Sequence, residues 1–480
     1  MKNSKLRSLF LILISILSMN TLISFALPDE DPLKNNFTFV WGGSDHENLK
    51  GMRSSSQNIF YIAGETDSID PDGDIYLLKL NTTELKAGNP FPDWLRVYGG
   101  NNAEIFGDMI VDSSGNVYIA GSTYSYGSGS YDLFLLKYND AGTLEWNITW
   151  GTIWWEVTGD YYEYSNANCL AIDSMNNIYV VGIFEYLDVL LVKYNSLGEY
   201  QWNRTWNILP AYGGWDPSED TPLDIKIDSN DNIYVAVRAE GSYYGDHSAI
   251  LKCNTEGVLL WNTTFPPSTS YRGANLLLNS NGIFFCSSFF LAKFDPNIGN
   301  HLWNISIWQS NRFNAMKFDS SGNIIILCTA GWLSGNGVIV EKFGLDGMLY
   351  WNKTFPSHPS YSCDSRDIYI DTEGNIFALA SAMADVLILK YDTVGELQYN
   401  YFWGSPEVDL PARIFVDSDE NIYVSGITTG FGGEGDYNVF FAGFSKRIRS
   451  EPAIFGYNFF LLLGILSIIS IYTIRKIEKN

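Results

Sequence analysis

The chain has 480 residues, of which 46% are hydrophobic, 15% aromatic and 18% charged. That balance excludes a disordered polymer and allows one large core or several smaller ones. A formal net charge of −24 excludes a nucleic-acid partner, which needs clustered Lys and Arg, and fits a soluble surface or sites that attract cations.

The N-terminus carries Lys2, Lys5 and Arg7, then the apolar run "LFLILISILSM", then Ser24-Phe25-Ala26. A basic start, an apolar stretch and small residues at −3 and −1 predict a signal peptide over 1–26, cleaved after Ala26; an uncleaved anchor is the alternative. Residues 27–36 read as a linker.

From residue 37 to 445 one unit recurs. Its most regular feature is a strand start close to x-N-[IV]-[YF], at Asn58, Asn116, Asn177, Asn232, Gly282 (where Asn281-Gly282 inverts the usual Gly-Asn order), Asn323 (followed by Ile-Ile), Asn375 and Asn421, in steps of 41 to 61 residues. Each unit reads as four short strands. Strand a ends on an apolar-Asp step, as in "MIVD", and a tight turn such as "DSSGN" leads to strand b, "NVYIAG". A variable loop leads to strand c, "DLFLLKY". A second tight turn such as "NDAGT" leads to strand d, "LEWNITWG". Runs rich in β-branched and aromatic residues, bounded by Asp, Asn, Ser and Gly, are strands and hairpins. No such unit can bury both of its faces alone, so neighbours must stack and the ring must close.

Sets a-b-c and strand d each occur eight times, but the first d, "FTFVWGG", precedes the first a-b-c set, and the last set, ending in "NVFFAGF", lacks its own d. The predicted fold is therefore all-β: an eight-bladed β-propeller closed by its N-terminal strand, which removes a free edge. Seven blades is the alternative, because units five and six are short.

After a juxtamembrane linker at 446–452, "AIFGYNFFLLLGILSIISIYTI" runs over 453–474 and is followed by the basic tail "RKIEKN" at 475–480. At the helical rise it spans roughly 33 Å, enough for one transmembrane helix, with the basic tail expected in the cytoplasm. The region between the two apolar segments is then expected outside the cell, on a single-pass anchor.

The cysteines are Cys169, Cys253, Cys286, Cys328 and Cys363, with no C-x-x-C pair. That leaves zinc and thioredoxin-like chemistry unsupported, and an odd number leaves at least one thiol unpaired. Most lie in apolar runs and read as buried free thiols. Cys286 and Cys328 occupy similar places in neighbouring repeats, so a bridge between them stays open.

Strand d repeats Trp-Asn-x-Thr/Ser. By period two, Trp146, Ile148 and Trp150 share one side and Asn147 and Thr149 the other. The Trp side is expected to pack and the Asn side to face solvent. Asn147, Asn203, Asn262, Asn304 and Asn352 lie in such strands, and with Asn36 and Asn81 they make seven N-x-Ser/Thr sequons, candidate glycosylation sites on an exported chain. A sequon that is incidental to a good strand repeat is the alternative.

The a–b and c–d turns are short, apart from the c–d segment of unit one. Length variation gathers in the b–c loops and d-to-a crossovers, which should open on one face. These loops hold Trp154, Trp155, Tyr161, Tyr162, Tyr164, Trp215, Asp216, Tyr243 and Tyr244. Aromatic planes beside acids suit sugar rings or protein hot spots; rings that merely pack the loops are the alternative.

Asp at the a–b turns reads as a carboxylate bonding its own turn, not an EF-hand, whose ligand series is absent. "DSIDPDGD", with Asp70, Asp72 and Asp74, is the most calcium-like cluster; the expectation is no cofactor, with calcium as the alternative. Strand c carries a repeated Lys, with Gly443 in its place in unit eight. Its stem should cover apolar surface and its ammonium should meet a repeated Asp. Four scattered histidines and the lack of H-E-x-x-H, G-x-S-x-G or a Gly-rich phosphate loop give catalysis little support.

The motifs D-x-x-G-N-[IV]-Y-[VI]-x-G, D-[VL]-x-L-x-K-Y and G-x-x-x-W resemble the SBBP-type β-propeller repeats of secreted bacterial and archaeal proteins, over about residues 37–445. That family is usually seven-bladed, so eight copies depart from it. The resemblance implies a propeller outside the cell and implies no reaction. The apolar segment, the basic tail and "FGYN" resemble the C-terminal sorting signals of archaeal surface proteins, which implies a tail that is cut and replaced by a lipid. Eight units with Trp in strand d are also similar to quinone-dependent propellers, but the A-x-D-x-x-T-G-x-x-x-W docking pattern is not reproduced. The expected function is a non-catalytic binding, adhesion or structural module on the cell surface, with a glycan or protein ligand. The alternative is a surface enzyme, polysaccharide-cleaving or quinone-dependent.

Overall fold

The structure, a computed structural model, describes residues 31–69, 71–127, 132–151, 167–184, 188–208, 220–239, 247–265, 274–287, 290–307, 310–330, 337–356, 363–431 and 437–447. The chain divides into a unit Asn35–Ser445 and a second unit of Met1–Lys34 with Lys446–Asn480. In the second unit, Arg447 N–H donates to Pro32 O at 3.1 Å. Among the described residues no helix is long and apolar enough to cross a membrane; the expected transmembrane segment 453–474 and the expected signal peptide 1–26 lie outside them.

The larger unit is an eight-bladed propeller. Its described residues form eight four-stranded antiparallel sheets, seven in the chain order a-b-c-d. In the eighth, the strand Leu33–Trp41 pairs with Asn438–Lys446 and takes the place of the missing d strand. The innermost strands are Glu47–Ser56, Glu104–Val111, Ala167–Ile172, Asp220–Ile227, Asn275–Asn279, Ser310–Phe318, Cys363–Ile370 and Asp409–Val416. Each neighbours the next, and the last neighbours the first.

Burial follows position in the blade. Strands b and c are buried on both faces, as in Val117–Thr123 and Asp385–Tyr391. Strand d alternates: in Leu144–Trp150, Trp146, Ile148 and Trp150 are half-buried while Asn147 and Thr149 are exposed. In blades one to six one strand-d indole, Trp94, Trp146, Trp202, Trp261, Trp303 or Trp351, covers the c–d turn glycine of the next blade. A Cβ on Gly257 would sit 2.9 Å from the Trp202 ring, and on Gly198 3.0 Å from that of Trp146. These glycines also hold φ of 74° and 81°, which β-carbon residues adopt at a cost. The G-x-x-x-W spacing thus joins two blades: the glycine receives the previous indole and the tryptophan covers the next turn.

The a–b turn is a hydrogen-bond unit. Asp173 Oδ1 accepts the N–H groups of Met175 (2.9 Å) and Asn177 (2.8 Å), and Oδ2 accepts Asn177 Nδ2 (2.7 Å) and Tyr179 OH (3.0 Å). Asp228 and Asp417 repeat all four bonds. The Asp therefore bonds its own turn as expected, and D-x-x-x-N-x-Y recurs because Asn and Tyr hold the same carboxylate.

The strand-c Lys differs from expectation in its partner. Its ammonium lies over the strand-b ring of its own blade, as with Lys252 over Tyr234 at 5.0 Å. It then donates to a turn carbonyl of the next blade: Lys193 to Thr255 O (3.0 Å), Lys252 to Pro296 O (2.7 Å) and Lys293 to Leu345 O (3.1 Å). The repeated Asp is met only in blade six among the described residues, by Lys342 and Asp319 at 2.8 Å. Elsewhere the ammonium meets other carboxylates, Lys79 with Asp140 at 2.6 Å, Lys137 with Glu145 at 2.9 Å and Lys390 with Glu420 at 2.9 Å, while the turn Asp is held by Asn and Tyr as at Asp173.

Two irregularities of the repeat solve one problem. In blade eight, Gly443 stands where the other blades have Lys, and a Cβ there would lie 2.3 Å from the Phe37 ring of the closing strand. The uncovered Tyr423 receives Lys86 instead, 5.4 Å from its ring and 3.0 Å from its hydroxyl. Lys86 ends the short helix Thr82–Lys86, which is the long c–d segment of blade one. The seam core adds Phe60 and Phe441, 5.1 Å apart, and Phe37 and Phe441, 5.6 Å apart. All five cysteines are free thiols, four of them buried, so Cys286 and Cys328 are unbridged within one core cluster.

Candidate functional site

Every innermost strand except Asn275–Asn279 carries a β-bulge, between Phe106 and Asp108, Pro222 and Asp224, Ser365 and Asp367 and their counterparts. A bulge adds one residue and re-aims the side chain that follows. Here it turns that side chain towards the next blade along the central channel. Asp108 Oδ2 accepts Leu170 N–H (3.2 Å), Asp224 Oδ2 accepts Leu276 N–H (2.8 Å) and Asp367 Oδ2 accepts Ile414 N–H (3.2 Å). Cys169 donates to Leu223 O (3.4 Å) and Arg413 to Lys50 O (3.2 Å). The polar residues after the bulge therefore tie blades together around the axis.

The channel encloses a cavity of ≈ 600 Å³. Arg53, Lys226 and Lys317 line it from blades one, four and six, with Tyr369 and Phe415 on the wall between blades seven and eight. Arg53 Nη2 meets Asp108 Oδ1 at 3.1 Å, and Lys226 meets Asp224. Burial pushes the Asp108 carboxyl up, against the opposing pull of Arg53 and of the Met109 and Leu170 N–H groups. Burial also raises the Cys169 thiol well above its usual value, with Asp224 and Asp108 adding to it. Arg366 is lowered by burial and by Arg312, with Asp364 opposing.

The two ends of the channel differ. The a–b and c–d turns close at one end. The long connections, between Trp150 and Ala167, Trp206 and Asp220, and Ala239 and His247, all leave strands at the other. At this loop end, between blades one and two and between blades seven and eight, the acid that opens strand c and the acid that opens the next strand a crowd one glycine. A Cβ on Gly99 would lie 1.6 Å from Asp74 Oδ1 and 2.6 Å from Glu104 Oε2; on Gly404, 2.4 Å from Asp385 Oδ1 and 2.9 Å from Asp409 Oδ2. The strand-a acid accepts the corner N–H, as Asp220 does from Ile208 (2.6 Å) and Glu104 from Gly100 (3.1 Å). Asp220 is fully buried, and its Oδ1 has no donor among the described residues. Burial pushes its carboxyl up to about 7, the Ile208 N–H opposing and Asp188 adding.

The sequence-predicted loop residues Trp154, Trp155, Tyr161, Tyr162, Tyr164, Trp215, Asp216, Tyr243 and Tyr244 lie outside the described residues, as does Asp70. Asp72 is exposed and Asp74 is buried at the start of strand c. Among the described residues no group of three or more His, Cys, Asp or Glu is arranged to hold a metal. Of the sequons, Asn147, Asn262, Asn304 and Asn352 are exposed, while Asn36, Asn81 and Asn203 are half-buried. Asn81 caps the short helix by accepting Thr83 N–H (3.0 Å), and Asn36 accepts Ser445 Oγ (3.1 Å).

Residues 93–127, from strand d of blade one to the b–c loop of blade two, match the SBBP family, described as a beta-propeller repeat. With the eight blades, this makes the chain a β-propeller repeat protein. No curated protein sequence matches it. Among solved structures it is similar to a protein from Lactobacillus plantarum (TM-score 0.41, 13% identity, covering 66% of this chain and 91% of that one). It is also similar to the polysaccharide lyase Uly1 (0.46, 8%, 84% and 90%) and to Drosophila Plexin A in complex with Semaphorin 1b (0.45, 8%, 86% and 87%).

Proposed function

We propose that this propeller is a non-catalytic binding or adhesion module, held outside the cell by its C-terminal apolar segment and recognising a glycan or protein through its loop end. One observation carries it: the tight turns all close at one end of the ring, and the insertions leave the strands at the other. A ring with one regular end and one elaborated end concentrates recognition on the elaborated one. The aromatic and acidic residues of those insertions supply stacking planes and hydrogen-bond acceptors. Sugars on the exposed strand-d asparagines would coat the rim and discourage edge-to-edge pairing. Mass measurement of native protein before and after deglycosylation tests that part; an unchanged mass removes it.

A surface enzyme is the second reading, favoured by the single-blade polar residues that converge in the channel with a shifted Asp108. Against it, those carboxylates are engaged by backbone N–H groups of the next blade, which suits staples better than acid–base work. The test is glycan-array and cell-surface pull-down with the full chain, with and without calcium. Retained glycan or protein supports a binding module; processed glycan in the eluate supports the enzyme.

A further inference from the structure

The structure assigns a second site, independent of the loop end: the central channel binds a small oxyanion bearing two or more phosphate or carboxylate charges. Five cationic side chains line the cavity, Arg53, Lys226, Lys317, Arg366 and Arg413, in a chain whose net charge is −24. Three carboxylates line it as well, and Arg53 and Lys226 pair with Asp108 and Asp224, so five cations face three carboxylates and positive charge stays in excess. Asp108, Asp224 and Asp367 each hold a backbone N–H of the next blade, and Asp108 and Asp367 also hold that of their own neighbour, Met109 (2.8 Å) and Ile368 (2.9 Å). Lys317 is the cation with donors in reserve: it is exposed, lines the cavity and meets no acceptor among the described residues. Arg366 meets Asp364 only at 3.7 Å. Surplus donors converging in a walled space are electrostatically stronger than on an open surface. The volume of ≈ 600 Å³ admits a small ligand and excludes a folded chain.

Calorimetric titration of the full chain with inorganic pyrophosphate, and separately with citrate, tests this. The expected result is saturable binding at one per chain, weakened by salt. Lys317→Gln and Lys226→Gln are each expected to weaken it by about tenfold or more, the scale of a charge-assisted hydrogen bond. Lys353→Gln, on the outer strand of blade six, should leave it unchanged. Melting temperatures show that each variant is folded. The relative affinity of the two probes distinguishes phosphate from carboxylate ligands. No saturable binding of either probe, or an equal loss in Lys353→Gln, overturns the assignment.

Discussion

At the turn end of the ring, Asp228 is surrounded by donors. Burial pushes its carboxyl up, but the Asn232, Asn230 and Tyr234 donors outweigh it and hold the group below its usual range. At the loop end, Asp220 has one donor among the described residues, the Ile208 N–H; burial pushes its carboxyl up to about 7, and the neighbouring Asp188 carboxylate adds to it. One residue type thus does opposite work at the two ends. The turn end is saturated and stabilising, while the loop end keeps buried charge that the fold tolerates. Regularity at one end is what frees the other to carry costly groups and variable insertions.

Breaking a saturated turn should produce the largest effect. Asp417→Ala strands the donors of Asp419, Asn421 and Tyr423. A loss of about 3 kcal/mol in chemical denaturation is expected from several unmade bonds. A loss below about 1 kcal/mol would mean that water replaces the carboxylate.

The pH dependence sharpens the contrast. Asp220 and Glu341 are each raised to about 7 by burial, so the folded state holds protons that the unfolded chain releases. Stability should therefore fall as pH rises from about 4 to 7 and level off above, by a few kcal/mol. Asp220→Asn and Glu341→Gln should flatten that decline in denaturation series across this window. Asp228 and Asp319, held low by their donors, act oppositely: their contribution is present above the unfolded carboxylate pKa and is lost as pH falls below it.

Two smaller changes probe the blade joints. Gly257→Ala puts a methyl 2.9 Å from Trp202 at a φ of 74° and should cost about 1–3 kcal/mol by thermal or chemical unfolding. Lys86→Ala uncovers Tyr423 at the closing blade and should cost about 0.5–1 kcal/mol, read most clearly as faster proteolysis at the seam.

Much of this was legible in the sequence, because the turn end repeats. The Asp turns, the Trp side of strand d and the closing strand all show as period and count, and the structure bears them out. Gly443 and the long c–d segment of blade one were each visible as an exception. Only the fold shows that Lys86 answers the lysine missing at Gly443. The channel was illegible for a physical reason: Asp108, Cys169, Asp224 and Arg413 occupy one position with three chemistries, and the bulge hides which neighbour they face. The carboxylate pairs were hidden too, since Asp74 and Glu104 belong to different blades. Their shared signal in the sequence is a glycine at the d–a corner, Gly99 and Gly404.

The claim that recognition belongs to the loop end is tested most directly by two matched triple variants of the full chain in a cell-binding and glycan-array assay. One carries Trp154→Ala, Trp155→Ala and Trp215→Ala. The other carries Leu197→Ala, Val258→Ala and Met348→Ala, exposed residues of the turn end. The expected result is loss of binding in the first, full binding in the second and equal melting temperatures. Binding that survives the first set and disappears with the second would contradict it.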